Sequence, residues 1–223
     1  MERIPEPELM DDAEQALAYA AADFDEPHAK VLELFRSTFP GFQGQAGTRA
    51  LDLGCGPADI SIRFARVWPD LHLTGIDGAM AMLVPGMERI AREGLQDRIR
   101  LVHGMLPDDL PDDGPADLII SNSLLHHLHD PGVLWKSVLA GGRPGSLVFI
   151  VDLMRPPDKE TAARMQRDYV AGEPEVLQRD FYHSLLASFT PEEVRQQLAG
   201  FGLDKKLAVE EISDRHLMVF GVL

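Results

Sequence analysis

Apolar positions recur along this chain at two spacings, and the change from one to the other predicts its elements. Leu9, Ala13, Leu17, Ala20 and Phe24 fall three or four positions apart, with the acids mostly off that stripe. Residues 8–24 are therefore expected to form an amphipathic helix. A second helix is expected from Asp25–Pro27, with Asp25 as its cap and Pro27 in the first turn, where a missing N–H costs nothing. Val31, Leu34, Phe35 and Phe39 give it a buried face, and Pro40-Gly41 ends it.

Beyond this point short β-like runs alternate with helical ones. Strands are expected at Arg49–Leu53, Leu71–Ile76, Ile99–His103, Asp117–Ser121 and Ser146–Val151. Between them Ile60–Trp68, Ala79–Glu93 and Pro131–Leu139 read as helices, the second broken at Pro85-Gly86. That alternation implies parallel βαβ units in a doubly wound α/β sheet. Residues 155–188 are polar and helical, with turn signals at Pro156-Pro157 and Gly172–Pro174. Thr190 to Glu193 has capping-box spacing and opens a helix that Gly200 ends. Lys206–Glu210 and His216–Val222, joined at Ser213-Asp214-Arg215, then read as a closing hairpin.

The 223 residues are 45% hydrophobic, enough for a large core in one domain with an appendage. The boundary falls near residue 44, giving an N-terminal helical segment, 1–44, and a main domain, 45–223. No apolar run approaches the ~20 residues that span a bilayer. The opening MERIPEPELMDD is too acidic for a signal peptide. Cys55, the one cysteine, cannot form an internal disulfide or a thiolate cluster, which suits a reducing, cytoplasmic setting. A net charge of −15 disfavours a protein that grips nucleic acid by neutralising phosphates. The acidity is local: residues 1–26 hold nine acids against Arg3 alone, a net −8. This is either a solvated helix face or an element that covers a site and filters what enters.

The strongest motif is Leu51-Asp52-Leu53-Gly54-Cys55-Gly56-Pro57-Ala58-Asp59, between a strand and a helix. Glycines there let a ligand approach the backbone, and the helix N-terminus offers free N–H groups. Asp52 is suited to an ammonium group. Asp77, 21 residues past Gly56 at the next strand end, is suited to ribose hydroxyls. A nicotinamide site and an S-adenosylmethionine site both have this pattern. Where the dinucleotide fingerprint has its third glycine this chain has Asp59, whose charge would repel a pyrophosphate but tolerate a sulfonium. An ordinary Gly-Pro turn is the structural alternative.

With these segments in view the sequence resembles the class I S-adenosylmethionine-dependent methyltransferases, over roughly residues 45–155. LDLGCGPADI is similar to their first motif and LTGID to their second; IRLVHGMLPDDLP is similar to the third strand and adenine loop. DLIISNSLLHHLHDP is similar to the fourth motif, and GGRPGSLVFIVDL to the fifth strand and its lead-in. The flanking helices most resemble the small-molecule, quinone-biosynthesis-like branch. The resemblance implies a Rossmann-like, doubly wound, seven-stranded sheet with the last strand antiparallel, an N-terminal helical lid, and a substrate-side helical insertion at 155–188. It implies S-adenosyl-L-methionine as cofactor. Gly54, Cys55 and Gly56 would lie along its methionine part, Asp52 would reach the amino group, and Asp77 with Gly78 would take the ribose. Met82 would pack on the adenine, and Asn122 would lie by the transferred methyl. Where many relatives have an acid after the glycine of the third strand, Gly104 is followed by Met105. The adenine is then left to the backbone of Met105 and Leu106, or to Asp108.

Methyl transfer from a sulfonium is an in-line displacement that needs alignment, plus a base when the nucleophile arrives protonated. His126, His127 and His129 follow the fourth strand; Tyr169, Asp180, Tyr182 and His183 lie in the insertion. His127, His183 and Tyr182 are the catalytic candidates; His126, Tyr169, Tyr19 and Phe24 are candidate substrate contacts. His126 and His129 have a spacing that can bind metal, but no third ligand accompanies them, so no metal site is expected. The expected function is methyl transfer to a small-molecule acceptor, neutral or cationic, with no nucleic-acid or membrane partner. A methyltransferase acting on protein or RNA, a non-catalytic S-adenosylmethionine-binding module and a nicotinamide oxidoreductase are the rivals.

Overall fold

The computed structural model describes residues 1–11, 16, 18–20, 22 and 25–223. Seven strands form one sheet: β1 (Arg49–Leu53), β2 (His72–Asp77), β3 (Ile99–His103), β4 (Leu118–Asn122), β5 (Leu147–Leu153), β6 (Leu207–Glu211) and β7 (His216–Val222). Their order is β3-β2-β1-β4-β5-β7-β6. β7 runs antiparallel to both its neighbours, and every other pair is parallel. The helices are α1 (Asp25–Thr38), α2 (Asp59–Val67), α3 (Met80–Arg92), α4 (Gly132–Gly141), α5 (Lys159–Tyr169), α6 (Glu175–Ala187) and α7 (Pro191–Gly200).

The central strands β1, β4 and β5 are buried almost throughout, as parallel strands covered on both faces must be. One face packs α1 and α2, where Phe35 sits among the rings of Phe39, Phe42, Phe64, Trp68 and Phe149, with centroids 4.9–5.4 Å away. The other face carries Trp135 and Val138 of α4 with Val194 and Leu198 of α7. α7 opens with the expected capping box of Thr190 and Glu193. β6 is one of the two edge strands, and Glu210 and Glu211 are exposed along it, which discourages edge pairing. No helix of the described residues is long and apolar enough to cross a membrane.

Two elements differ from expectation. Among the described residues of that stretch, 8–11 are not helical, whereas Ala16 and residues 18–20 are. Ala13, Leu17 and Phe24, with Asp12, Glu14 and Asp23, lie outside the described residues. The second difference is α3, which runs unbroken through Pro85. The proline removes one backbone bond near the helix start, while Leu83 and Ile90 keep the helix on the core. Gly86 lets α3 approach the glycine turn, since a Cβ there would lie 3.0 Å from the Pro57 carbonyl carbon.

Gly54 has φ +68°, and a Cβ at that position would meet Leu124 Cδ1 at 2.7 Å. Gly54→Ala therefore combines left-handed strain with a clash, and should destabilise by about 2–3 kcal/mol. Chemical denaturation would show this as a lower midpoint at unchanged slope; an unchanged midpoint would contradict it.

Candidate functional site

The sheet order reverses between β1 and β4, so the crevice at their carboxyl ends is where an open α/β sheet takes a ligand. The glycine turn lines it. Gly54, Gly56 and Ala58 have φ of +68°, +50° and +61°, and Ala58 caps α2 from this left-handed conformation. The Gly54 and Cys55 N–H groups both donate to the Ile76 carbonyl, which ties the turn to β2. Asp77 completes the tie. Its carboxylate accepts from Gly56 N–H at 2.8 Å and from Ala79 N–H at 2.8 Å. Burial raises its pKa, and those two donors oppose the rise. Each oxygen keeps a lone pair beyond the backbone bonds.

Asp52 lies beneath the turn, 1% exposed, and accepts from Ser61 Oγ at 2.6 Å. Burial pushes its pKa up to about 7, against the Ser61 bond. Cys55 is buried, and burial raises its thiol too far to ionise at neutral pH. Asp59 differs from expectation. Its carboxylate pairs with His28 at 2.5 Å, with Arg63 at 2.7 Å and with Arg89. Burial would raise its pKa, but the bonds to His28 and Arg63 outweigh it and hold the carboxyl below the usual range. The charge expected to repel a pyrophosphate is thus neutralised by its own arginines.

At the end of β3 the backbone of Met105 is already engaged. Its N–H donates to Asp109 Oδ2 at 2.8 Å, and its carbonyl accepts from Asp109 N–H. Gly104 makes room for this, because a Cβ there would lie 2.7 Å from Asp109 Cβ. Met105 N–H is therefore not free for an adenine, and the carboxylate held at this loop is Asp109. The missing side chain of Gly104 was the only sequence signal for it. Asn122 ends β4 and donates to Ser123 Oγ at 3.2 Å. Ser123 has φ +57°, a strained conformation of the kind found beside functional sites.

An extended N-terminal strap crosses this edge. Arg3, the lone cation of the acidic segment, bonds the carbonyls of His126 at 2.8 Å, Leu128 at 2.9 Å and Ala187, and lies over the Phe189 ring. Ile4 N–H donates to the Leu186 carbonyl of α6. Glu8 accepts from His129 N–H at 2.7 Å. Leu9 Cδ2 and Met105 Sδ each come within 2.8 Å of where a Gly78 Cβ would stand. Ala16 and Tyr19 pack with Met82 and Ala79 at the start of α3. Burial pushes the Tyr19 hydroxyl up to about 12. The strap therefore runs from α6 across the His126–His129 loop to Gly78 and Met82.

Beneath it Glu6, His126 and His127 converge. His126 Nδ1 lies 2.5 Å from Asp152 Oδ1, and Asp152 also accepts from Leu125 and Leu153 N–H. Burial would lower the His126 pKa, but the Asp152 carboxylate outweighs it and holds the ring above its ordinary value. Burial and the His126 charge push His127 down to about 3. Glu6 is raised by burial. Glu6 and Asp152 were missed in the sequence, since they lie 120 residues upstream and 26 downstream of His126. An acid ending the apolar run VFIVD was the only hint of Asp152.

The remaining candidates make other contacts. Tyr182 packs with Met1, Leu153 and Met165, and His183 is exposed beside it. Tyr169 donates to Asp214 Oδ2 at 2.6 Å, with Arg215 stacked 3.4 Å over its ring at the β6–β7 turn.

Comparison with known proteins agrees with this layout. Residues 50–145 match the model of a methyltransferase domain. The chain is 33% identical over 126 residues to the polyketide synthase ThaQ of Burkholderia thailandensis, covering 56% of this chain and 6% of that one. It is 30% identical over 122 residues to the demethylmenaquinone methyltransferase of Anoxybacillus flavithermus, covering 54% and 51%. The chain thus spans about half or less of the length of these curated relatives. Its fold is similar to that of the plantazolicin methyltransferase BpumL in complex with SAH, with a TM-score of 0.70 at 15% identity over 95% of this chain and 91% of that one. Residues 50–145 are thus similar to a methyltransferase domain, and the whole chain shares the fold of solved structures described as S-adenosylmethionine-dependent methyltransferases.

Proposed function

We propose that this chain transfers a methyl group from S-adenosylmethionine to a small-molecule acceptor. The observation that carries the reading is the glycine turn tied to Asp77 at the switch point of the sheet. The residues there suit this cofactor: glycine backbone open to close approach and a carboxylate with spare acceptors, while Arg63 and Arg89 are paired with Asp59. Bound there, S-adenosylmethionine supplies an electrophilic methyl on a sulfonium. Gly54, Cys55 and Gly56 line its methionine part, with Asp52 beneath them favouring a cationic group. Asp77 and Gly78 hold the ribose, and Met82 packs on the adenine with Gly104, Leu106 and Met105 at its edge. Asp109, whose carboxylate already takes the Met105 N–H, accepts from the adenine amine. Asn122 lies beside the methyl, and the His126–His129 loop walls the acceptor.

The names of the similar proteins, a polyketide synthase and a demethylmenaquinone methyltransferase, support a small acceptor. The lid in this reading is the strap before α1, because α1 itself packs into the core through Phe35. It opens for ligand entry and closes to exclude water. The net charge of −15 supports an acceptor other than nucleic acid, and the single, buried cysteine Cys55, free of any disulfide, supports a cytoplasmic setting.

The test is product mass. Incubation with S-adenosylmethionine and a panel of quinols, thioesters and amines should yield one acceptor heavier by a methylene, with S-adenosylhomocysteine in equal amount. Cofactor binding without any S-adenosylhomocysteine would identify a non-catalytic binding module instead.

A further inference from the structure

We infer that Glu6, His126 and His127 form a binding site for a divalent transition-metal ion, which clips the N-terminal strap to the loop after β4. The inference is independent of methyl transfer and rests on where the protons are. His126 gives its Nδ1 proton to Asp152, and its Nε2 faces Glu6 Oε1, 3.6 Å away. His127 bonds the Pro7 backbone through one ring nitrogen. Its other nitrogen, Nδ1, is buried, has no hydrogen-bond partner and lies 3.2 Å from Glu6 Oε1. With His126 neutral, two imidazole lone pairs and a carboxylate point at one another; with His126 protonated, its Nε2–H meets Glu6 while His127 Nδ1 still has no partner. A single proton can satisfy only one of the two contacts; a cation satisfies both.

The spacing agrees. The ligand atoms of the three residues all lie within 4.8 Å of one another. Around a tetrahedral ion bound at about 2.0–2.1 Å, neighbouring ligand atoms stand about 3.4 Å apart. The 3.2 and 3.6 Å separations bracket that figure. Each ligand also has an outer partner that fixes it: Asp152 on His126, Pro7 on His127, and Ser184 Oγ on Glu6 at 3.0 Å. Two imidazoles and one carboxylate select zinc, iron(II), cobalt or nickel over magnesium and calcium, and three protein ligands leave a coordination position open. The sequence spacing paired His126 with His129; the structure instead sets His127 beside His126, and the strap supplies Glu6 as third ligand.

The test is direct metal binding to the full chain, prepared without a histidine tag and stripped with chelator. Titration with Co2+, followed by visible absorption, and with Zn2+, followed by calorimetry, should show one ion per chain. Glu6→Gln and His127→Ala should each weaken binding more than about 100-fold, since even outer partners are worth 10–100-fold. Asp152→Asn should weaken it within that lower range. His72→Ala removes an exposed imidazole at the start of β2 and should leave affinity unchanged. Glu6 lies outside the sheet and its helices, so Glu6→Gln tests the site even where a histidine variant folds poorly. Absence of Co2+ and Zn2+ binding, or equal affinity in wild type and Glu6→Gln, overturns the inference.

Discussion

Asp77→Ala should abolish S-adenosylmethionine binding and weaken the fold at the same time. A carboxylate that takes two ribose hydroxyls makes two charge-assisted bonds at about 1.5–3 kcal/mol each, so affinity should fall on the order of 100-fold or more. The sequence alone assigns Asp77 only to the ligand, which would leave the fold intact. The structure adds a second role, because the same oxygens accept from Gly56 and Ala79 N–H. Alanine leaves both donors without an acceptor, at about 1–3 kcal/mol for each one that water does not reach. Asp77→Asn keeps one acceptor oxygen and should be intermediate in both respects. Calorimetry measures the affinity and denaturant unfolding the stability. Wild-type affinity in a folded Asp77→Ala variant would contradict the assignment.

Asp52→Asn should stabilise the protein above neutral pH. The folded pKa of Asp52 is about 7, raised by burial from an ordinary 3.8. Between those values the folded state keeps a proton that the unfolded state has lost, so stability falls as pH rises through the window. The full penalty is about 4 kcal/mol, reached above pH 7 and absent below the unfolded pKa. Asparagine carries no charge, and its side-chain oxygen can still accept from Ser61 Oγ. The variant and the wild type should therefore unfold alike near pH 4 and diverge toward pH 8, with the variant more stable. Unfolding curves at the two pH values test this; a gap that does not change with pH would show that Asp52 stays charged in the fold.

The sheet was legible because its signals are local. Arg49–Leu53, Ile99–His103 and His216–Val222 coincide with strands as read from apolar runs, and the Thr190–Glu193 box caps its helix as its spacing implies. Pro85 misled because packing of Leu83 and Ile90 overrides one lost bond. In the site, the turn from Gly54 to Gly56 and the partner Asp77 were readable from spacing, since each sits at a strand end. What could not be read is contact between distant segments. Asp59 looked like a charge facing the ligand until α1 and α3 brought His28 and Arg89 to it. Glu6 looked like part of a solvated helix face, yet it lies partly buried against His126 and His127 in an extended strap. Nothing in the local pattern of residues 1–11 distinguishes those two outcomes.

The central claim is that the crevice formed by the glycine turn and Asp77 is a cofactor site for S-adenosylmethionine. Titrating the wild-type chain calorimetrically with S-adenosylmethionine, and separately with NAD, tests it most directly. The account predicts saturable, one-to-one binding of S-adenosylmethionine and no heat of binding with NAD. Binding of NAD, with none of S-adenosylmethionine, would contradict it.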